Sequence, residues 1–174
     1  MRTMPRRAPT AVFVLPFLAV ASAVSTGCDL AMAHYKEKQT AEWRKTYELQ
    51  PGGRLEISNI SGKIDVEPST GNSVEILAEK TARAASSEAA KEALGRIEIQ
   101  ETASATNVRI ETKMQRNAGG LFARAEQRVH YTVKVPALLE VRLSTVNGGI
   151  ELRGLKGRVT AEATNGGVKP RWNR

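Results

Sequence analysis

Asn147-Gly148-Gly149-Ile150-Glu151-Leu152-Arg153 returns 18 residues later as Asn165-Gly166-Gly167-Val168-Lys169-Pro170-Arg171, and Lys156-Gly157-Arg158-Val159 falls midway between them. Gly148, Gly157 and Gly166 are therefore nine apart, each followed two residues on by Ile150, Val159 or Val168. An earlier echo precedes them: Gly62 stands two before Ile64, and Gly71 lies nine after Gly62. A strand, a tight turn that uses Gly or Asn at positive φ and a second strand make a stacking unit. Each unit exposes an apolar face that only its neighbours can bury, which is the logic of a β-solenoid or a repetitive sandwich. The expected fold is mainly β, a solenoid-like stack of short strands with a β-sandwich as the alternative. Gly62, Gly148, Gly157 and Gly166 are its structural turn glycines.

Outward from the repeat the period stays at two. Thr46-Tyr47-Glu48-Leu49 runs into the turn signal Pro51-Gly52-Gly53, and Leu55-Glu56-Ile57, Ile64-Asp65-Val66 and Val74-Glu75-Ile76 alternate behind it. Arg96-Ile97-Glu98-Ile99, Val108 to Thr112, Val129-Tyr131-Val133-Val135 and Leu139-Val141-Leu143 continue the pattern. One interruption is helical. Ser86 or Ser87 suits a cap, Glu88 the positive end, Ala89 to Leu94 the body and Gly95 the stop, which predicts one short helix near residues 86–94.

The N-terminus has a different character. Arg2, Arg6 and Arg7 form a basic start, Ala11 to Val24 are mainly apolar, and Ser25-Thr26-Gly27 puts small residues before Cys28. The apolar run is too short and too broken by Pro16 and Ser22 for the ~20 residues of a spanning helix. Gly27-Cys28 resembles the end of a lipobox, with Ser25 where leucine is commonest. The resemblance implies lipidation of Cys28, attachment to the membrane through it, and a place in the cell envelope. The alternative is an ordinary signal cleaved near Ala21-Ser22-Ala23, giving a secreted or periplasmic soluble protein with a free thiol. The expected organisation is a signal over 1–27, a polar tether over 28–44 and a β-repeat domain over 45–174. At its end Lys169-Pro170-Arg171-Trp172-Asn173-Arg174 stops the repeat. Either another chain covers the edge strand left there, by self-association for instance, or the sequence is truncated.

The run from Pro51 through Leu55-Glu56-Ile57 to Gly62-Lys63-Ile64-Asp65-Val66 resembles the opening strand pair of the bacterial putative-adhesin family of envelope proteins. The short Ala/Glu/Lys helix, the strand from Tyr131 to Pro136 and the Asn-Gly-x-Ile turns follow in that family's order. The resemblance spans residues 45–168. It implies a β-repeat envelope domain with a binding or scaffolding role and no defined reaction.

Charge narrows the partners. The chain carries +8, or +5 without the three signal arginines; residues 28–108 hold 10 basic and 13 acidic side chains, and residues 109–174 hold 13 and 5. Outside the cytoplasm the accessible polyanions are lipid head groups and envelope polymers, not nucleic acid. Arg153, Lys156, Arg158, Lys169 and Arg171 are the candidate contacts, if neighbouring repeats stack them into one stripe. The bland reading is that they are the solvated phase of alternating strands.

Catalysis is not expected. His34 falls in the tether and His130 on the polar phase of a strand, with no nucleophile motif beside it. Glu56, Glu75, Glu98, Glu111 and Glu151 occupy alternate strand positions, and a cross-strand pair of them is the basis of a competing reading as a cell-wall or glycan hydrolase. One cysteine and two distant histidines build no metal site, and no cofactor motif occurs. Trp172, Tyr131 and Phe122 are the candidate exposed aromatics, of which Tyr131 suits a structural role best.

Overall fold

The computed structural model describes residues 36–115 and 125–171. The signal over 1–27, Cys28, His34, Phe122 and Trp172 lie outside them. The described chain runs β1 (Glu37–Glu48), β2 (Arg54–Ser61), β3 (Ile64–Pro68), β4 (Ser73–Ala84), α1 (Ser87–Gly95), β5 (Ile97–Ala103), β6 (Asn107–Met114), β7 (Glu126–Val135), β8 (Glu140–Asn147), β9 (Ile150–Arg153), β10 (Val159–Asn165) and β11 (Val168–Arg171). Two sheets face one another, in the orders β1-β4-β7-β3-β9-β11 and β10-β8-β2-β6-β5. The architecture is a mainly β sandwich with mixed sheets and one short helix.

The stack inside it has a two-strand rung. β2, β8 and β10 each run along one sheet, turn a corner at Gly62, Gly148 or Gly166 and return in the other sheet as β3, β9 or β11. Successive rungs pair in parallel on both sides, with Leu55 opposite Val141 and Val141 opposite Val159, and with Ile64 opposite Ile150 and Ile150 opposite Val168. The strands on either side of an Asn-Gly corner therefore belong to different sheets, and the corner is not a hairpin turn. The repeat is 18 residues, one full rung, rather than nine. Gly71 falls in an exposed turn with nothing near its missing Cβ.

The corner glycines serve closeness more than backbone sign. Gly62 has φ +118°, but no positive φ occurs at Gly148, Gly157 or Gly166. A Cβ on Gly62 would meet Val129 O at 2.1 Å, one on Gly148 would meet Gly62 O at 2.0 Å, and one on Gly166 would meet Gly148 O at 1.7 Å. Backbone lies on backbone in a column, Val129–Gly62–Gly148–Gly166, where no side chain has room. Gly157 belongs to a different contact, with a Cβ position 2.3 Å from Leu139 O. Beside the glycine column runs a polar one: Ser61 is opposite Asn147, and Asn165 Nδ2 donates to Asn147 Oδ1 at 2.9 Å.

The remaining strands complete the sheets, β7 on β3 and β6 on β2 in parallel and the others antiparallel. β7 pairs with both β3 and β4, β1 with β4, and β5 with β6. Residues 37–44, read from sequence as tether, are the first part of β1. Their alternation is subdued because the inward positions are Gln39, Ala41 and Trp43, only half-buried on an edge strand. α1 follows its predicted span, with Ser86 Oγ accepting from Ala89 N at 3.2 Å and Ala90 and Ala93 buried against the sheet. Its end departs from expectation: Arg96, in right-handed conformation, caps it, and Gly95 has no positive φ.

Inward-facing aliphatics from both sheets form one core, with Leu55, Ile57, Ile64, Val66, Ile76, Val108, Ile110, Val133 and Ile150 at most 1% exposed. Each such side chain contributes about 1.5–3 kcal/mol on burial. Tyr131 is also fully buried, which removes it from the exposed aromatics. Its hydroxyl lies 2.7 Å from Thr112 Oγ1, and burial pushes its phenol up to about 12 even though the Thr112 bond acts the other way. At one end of the sandwich Glu101 of β5 accepts from Tyr47 Oη at 2.6 Å and Lys45 Nζ at 3.1 Å of β1, tying the two sheets together. Those bonds hold the Glu101 carboxyl below its ordinary range, the Tyr47 bond foremost, while burial pushes the Tyr47 phenol up. Among the described residues the rung β10–β11 is the last of the stack.

Candidate functional surface

Ladder register determines which side chains meet on the outer faces. On the six-stranded sheet one cross-strand row reads Arg44, Leu77, Thr132, Asp65, Glu151, Lys169; a second runs Thr46, Glu75, Lys134, Glu67, and Arg153 pairs with Arg171 at the far side. Arg153 and Arg171 are therefore directly opposite one another. Glu151 lies among four cations. Lys63 Nζ stands 3.5 Å and Arg153 Nη2 3.4 Å from its carboxylate, and Lys169 is its cross-strand partner beside Arg171. The charge of Lys63, then the bonds from Arg153 and Lys63, hold the Glu151 carboxyl below its usual range. With Asp65 as the other cross-strand partner of Glu151, two carboxylates stand against four cations and the patch is net positive by two. Lys63 and Arg153 side chains are about half exposed, at 53% and 52%. The ion pairs are thus individually weak and open to competition from an external anion.

The structure divides the predicted set. It brings Arg153, Lys169 and Arg171 together on one face, places Lys156 in the turn after β9, and puts Arg158 at the foot of β10 in the opposite sheet. The five do not make a single stripe, because one rung crosses between sheets within the 18-residue repeat. Lys63 joins the patch instead. Its signal was present in the Gly62–Ile64 echo of Gly148–Ile150, which places Lys63 level with Gly149, but the pairing of β3 with β9 spans 86 residues of sequence.

On the same sheet a shallow concavity of about 620 Å³ opens over β1, β4 and β7, lined by Lys38, Glu42, Glu79, Arg83, Arg128 and His130 among others. His130 is surface-facing as its strand phase indicates, yet it is not alone. Asp65 Oδ2 is 2.8 Å from its Nε2, and Glu79 Oε2 is 4.0 Å from its Nδ1. Both ring nitrogens thus face carboxylates, leaving neither turned freely to a substrate proton. Glu42 and Glu79 are cross-strand partners, but their side chains are 59% and 51% exposed, without the apolar shelter that keeps a catalytic acid protonated. The alternating glutamates lie on outer faces beside cations: Glu56 is 3.7 Å from Arg54 and 3.9 Å from Arg109, and Glu111 pairs with Lys113. Among the described residues no group of His, Cys, Asp and Glu is arranged to hold a metal ion.

No protein-family model and no curated protein matches the chain. Among solved structures it is similar to a putative cell adhesion protein from Clostridium sporogenes, at 15% identity and a TM-score of 0.40 over 76% of this chain and 58% of that one. It is also similar to a putative adhesin from Parabacteroides merdae, at 12% identity and a TM-score of 0.36 over 69% and 43%. A third, a putative adhesin from Bacteroides fragilis, stands at 10% identity and 0.32 over 74% and 61%. The chain spans less than two thirds of the length of each of them.

Proposed function

We propose that this protein is a binding or scaffolding component of the cell envelope, held at the membrane by lipid on Cys28, whose contact surface for anionic lipid or polymer is the patch of Lys63, Arg153, Lys169 and Arg171. The observation that carries the reading is the convergence of four cations around one carboxylate, Glu151, on the outer face of the six-stranded sheet. Strand pairing fixes their backbones in register, so an anion meets an ordered array rather than a set of independent side chains. The exposed, ion-paired setting of His130, Glu42 and Glu79 favours binding over hydrolysis.

Two measurements test it. Each basic side chain near an anionic surface contributes about 1 kcal/mol. Reversal of Arg153, Lys169 and Arg171 to glutamate is therefore expected to lower partitioning onto phosphatidylglycerol-containing vesicles at least ~100-fold. Arg158→Glu, on the opposite sheet, should leave most of the binding in place. Binding that is unchanged by the triple reversal, or insensitive to salt, overturns the surface assignment. The anchor is read separately: the full chain expressed in a bacterium should incorporate a palmitate analogue and sediment with membranes, and Cys28→Ala should do neither. Equal labelling of the two removes Cys28 from the reading.

A further inference from the structure

The outer face of β1 and β4 carries an order of charge that works against the stability of the sheet. Three ladder rows cross the shallow concavity over these strands and β7: Lys38, Arg83, Glu126, then Thr40, Thr81, Arg128, then Glu42, Glu79, His130. Lys38 is directly opposite Arg83, and four residues along the same two strands Glu42 is directly opposite Glu79. Like charges set opposite one another destabilise an antiparallel pair. Exchanging Lys38 with Glu42 on β1 alone would turn both repulsions into attractions. Neighbouring groups offset little of this. Glu126, opposite Arg83 on its other side, pairs with Arg128 of its own strand. Among the described residues neither Lys38 nor Arg83 is in an ion pair. Glu42 has the exposed Arg44 Nη2 at 3.1 Å, and Glu79 has His130 Nδ1 at 4.0 Å. The floor is nonetheless braced from behind by α1: Ala82 and Ala84 are buried on the reverse face of β4, Gln39 Nε2 donates to Ser87 Oγ at 3.0 Å, and Gln127 Nε2 donates to Ala93 O at 2.5 Å.

We infer that this concavity is a binding site for a phosphoethanolamine group, a zwitterion that brings a counter-charge to each like-charged pair. The phosphate lies by Lys38, Arg83 and Arg128, where the hydroxyls of Thr40 and Thr81 can donate to its oxygens. The ammonium lies by Glu42 and Glu79. The two charged rows are roughly 14 Å apart along the strands. A ligand over the threonines between them therefore has cations on one side and carboxylates on the other. The volume, about 620 Å³, is that of a small-molecule site. A simple anion would leave the carboxylates unmatched. A quaternary ammonium is held by an aromatic cage, and among the described residues no Phe, Tyr or Trp lines the concavity. A primary ammonium instead donates hydrogen bonds that carboxylates accept. Of the basic patch proposed above, only Lys63 also lines this concavity, so the two sites are separable.

Calorimetric titration of the full chain with O-phosphoethanolamine, ethyl phosphate and phosphocholine tests the assignment. Phosphoethanolamine is expected to bind at least ~10-fold more tightly than either of the others. Glu79→Gln should remove that advantage and leave ethyl phosphate binding unchanged, whereas Arg83→Gln should weaken all three ligands at least ~10-fold. The exchange Lys38→Glu with Glu42→Lys preserves composition and net charge. It should abolish binding and raise the urea midpoint, so that the lost affinity is not a lost fold. Reversal of Arg153, Lys169 and Arg171 should leave these affinities unchanged, which separates a failure of this site from a failure of the basic patch. Phosphatidylcholine vesicles distinguish two sources of the group. Recruitment of the chain when phosphatidylethanolamine is included supports a lipid headgroup, and binding of the soluble ester without recruitment supports a free ester. No binding of phosphoethanolamine, equal affinity for ethyl phosphate, or binding that survives the exchange of Lys38 and Glu42 would each overturn the proposal.

Discussion

Gly62→Ala is expected to lower stability by at least ~4 kcal/mol, enough to leave little folded protein in a domain of ordinary marginal stability. The added Cβ would lie 2.1 Å from Val129 O and 2.8 Å from Val129 C, and the residue it joins sits at φ +118°. Both neighbouring atoms are main-chain atoms of β7, a central strand that pairs with β3 on one side and β4 on the other. No side chain can swing aside, so the corner itself must open. Gly148→Ala meets the same obstacle without the unfavourable φ, its Cβ position being 2.0 Å from Gly62 O. Its expected cost is ~3 kcal/mol. Gly166→Ala makes the closest approach of the three, 1.7 Å from Gly148 O, and should likewise be destabilising. Gly95→Ala, with nothing within 4 Å of the new atom, is the internal control and should be neutral or slightly stabilising. Urea midpoints at unchanged m-value check the series. A Gly62→Ala midpoint within error of the Gly95→Ala midpoint would refute the column.

Asn59→Leu carries the second large expected effect, a loss of ~3 kcal/mol. The side chain is 3% exposed and uses both ends: Nδ2 donates to Val129 O at 2.9 Å and to Ser61 O at 3.3 Å, and Oδ1 accepts from Ile60 N at 3.0 Å. Leucine keeps the volume but strands the Val129 carbonyl at the corner where Gly62 passes closest. Asn59→Asp should be worse near neutrality, since it replaces the amide donor with a charge aimed at a carbonyl oxygen. Burial and that carbonyl would raise the folded-state pKa of the new carboxyl above its unfolded value of about 3.9. Stability of this variant relative to wild type should therefore fall as pH rises above about 4 and recover on acidification, when the protonated acid can donate to Val129 O. Thermal or urea unfolding between about pH 3.5 and 7 reads this directly; a pH-independent difference from wild type would rule out the buried carbonyl clamp.

Both predictions concern the corner, where sequence and structure agree on which residues matter and differ on the reason. The Asn-Gly pairs read as turns needing positive φ, because the two functions of glycine, backbone freedom and absence of Cβ, leave the same letter. Only the stacking of Gly62, Gly148 and Gly166 shows that closeness governs the second and third. The tether reading of residues 37–44 failed for a related reason. An edge strand buries one face incompletely, so Gln39, Ala41 and Trp43 carry too weak an alternation to stand out from a polar linker. Tyr131 was ambiguous by type, since an aromatic with a hydroxyl fits surface and core alike, and the Thr112 partner that allows its burial comes from another strand. In the basic patch, Arg153, Lys169 and Arg171 were legible because one 18-residue repeat spaces them, whereas Lys63 was not, because nothing local links it to Glu151.

What the sequence determined by itself is whatever depends on neighbours along the chain: period-two alternation, the helix with its Ser86 cap, the 18-residue rung and the basic excess of its last third. Tertiary structure decided which strands share a sheet, since β2 and β3 separate across their corner and find β8 and β9 only after the insertion of β4 to β7. It decided, too, which charges meet. Those outcomes rest on hydrogen bonds between strands distant in sequence, whose register no local pattern encodes.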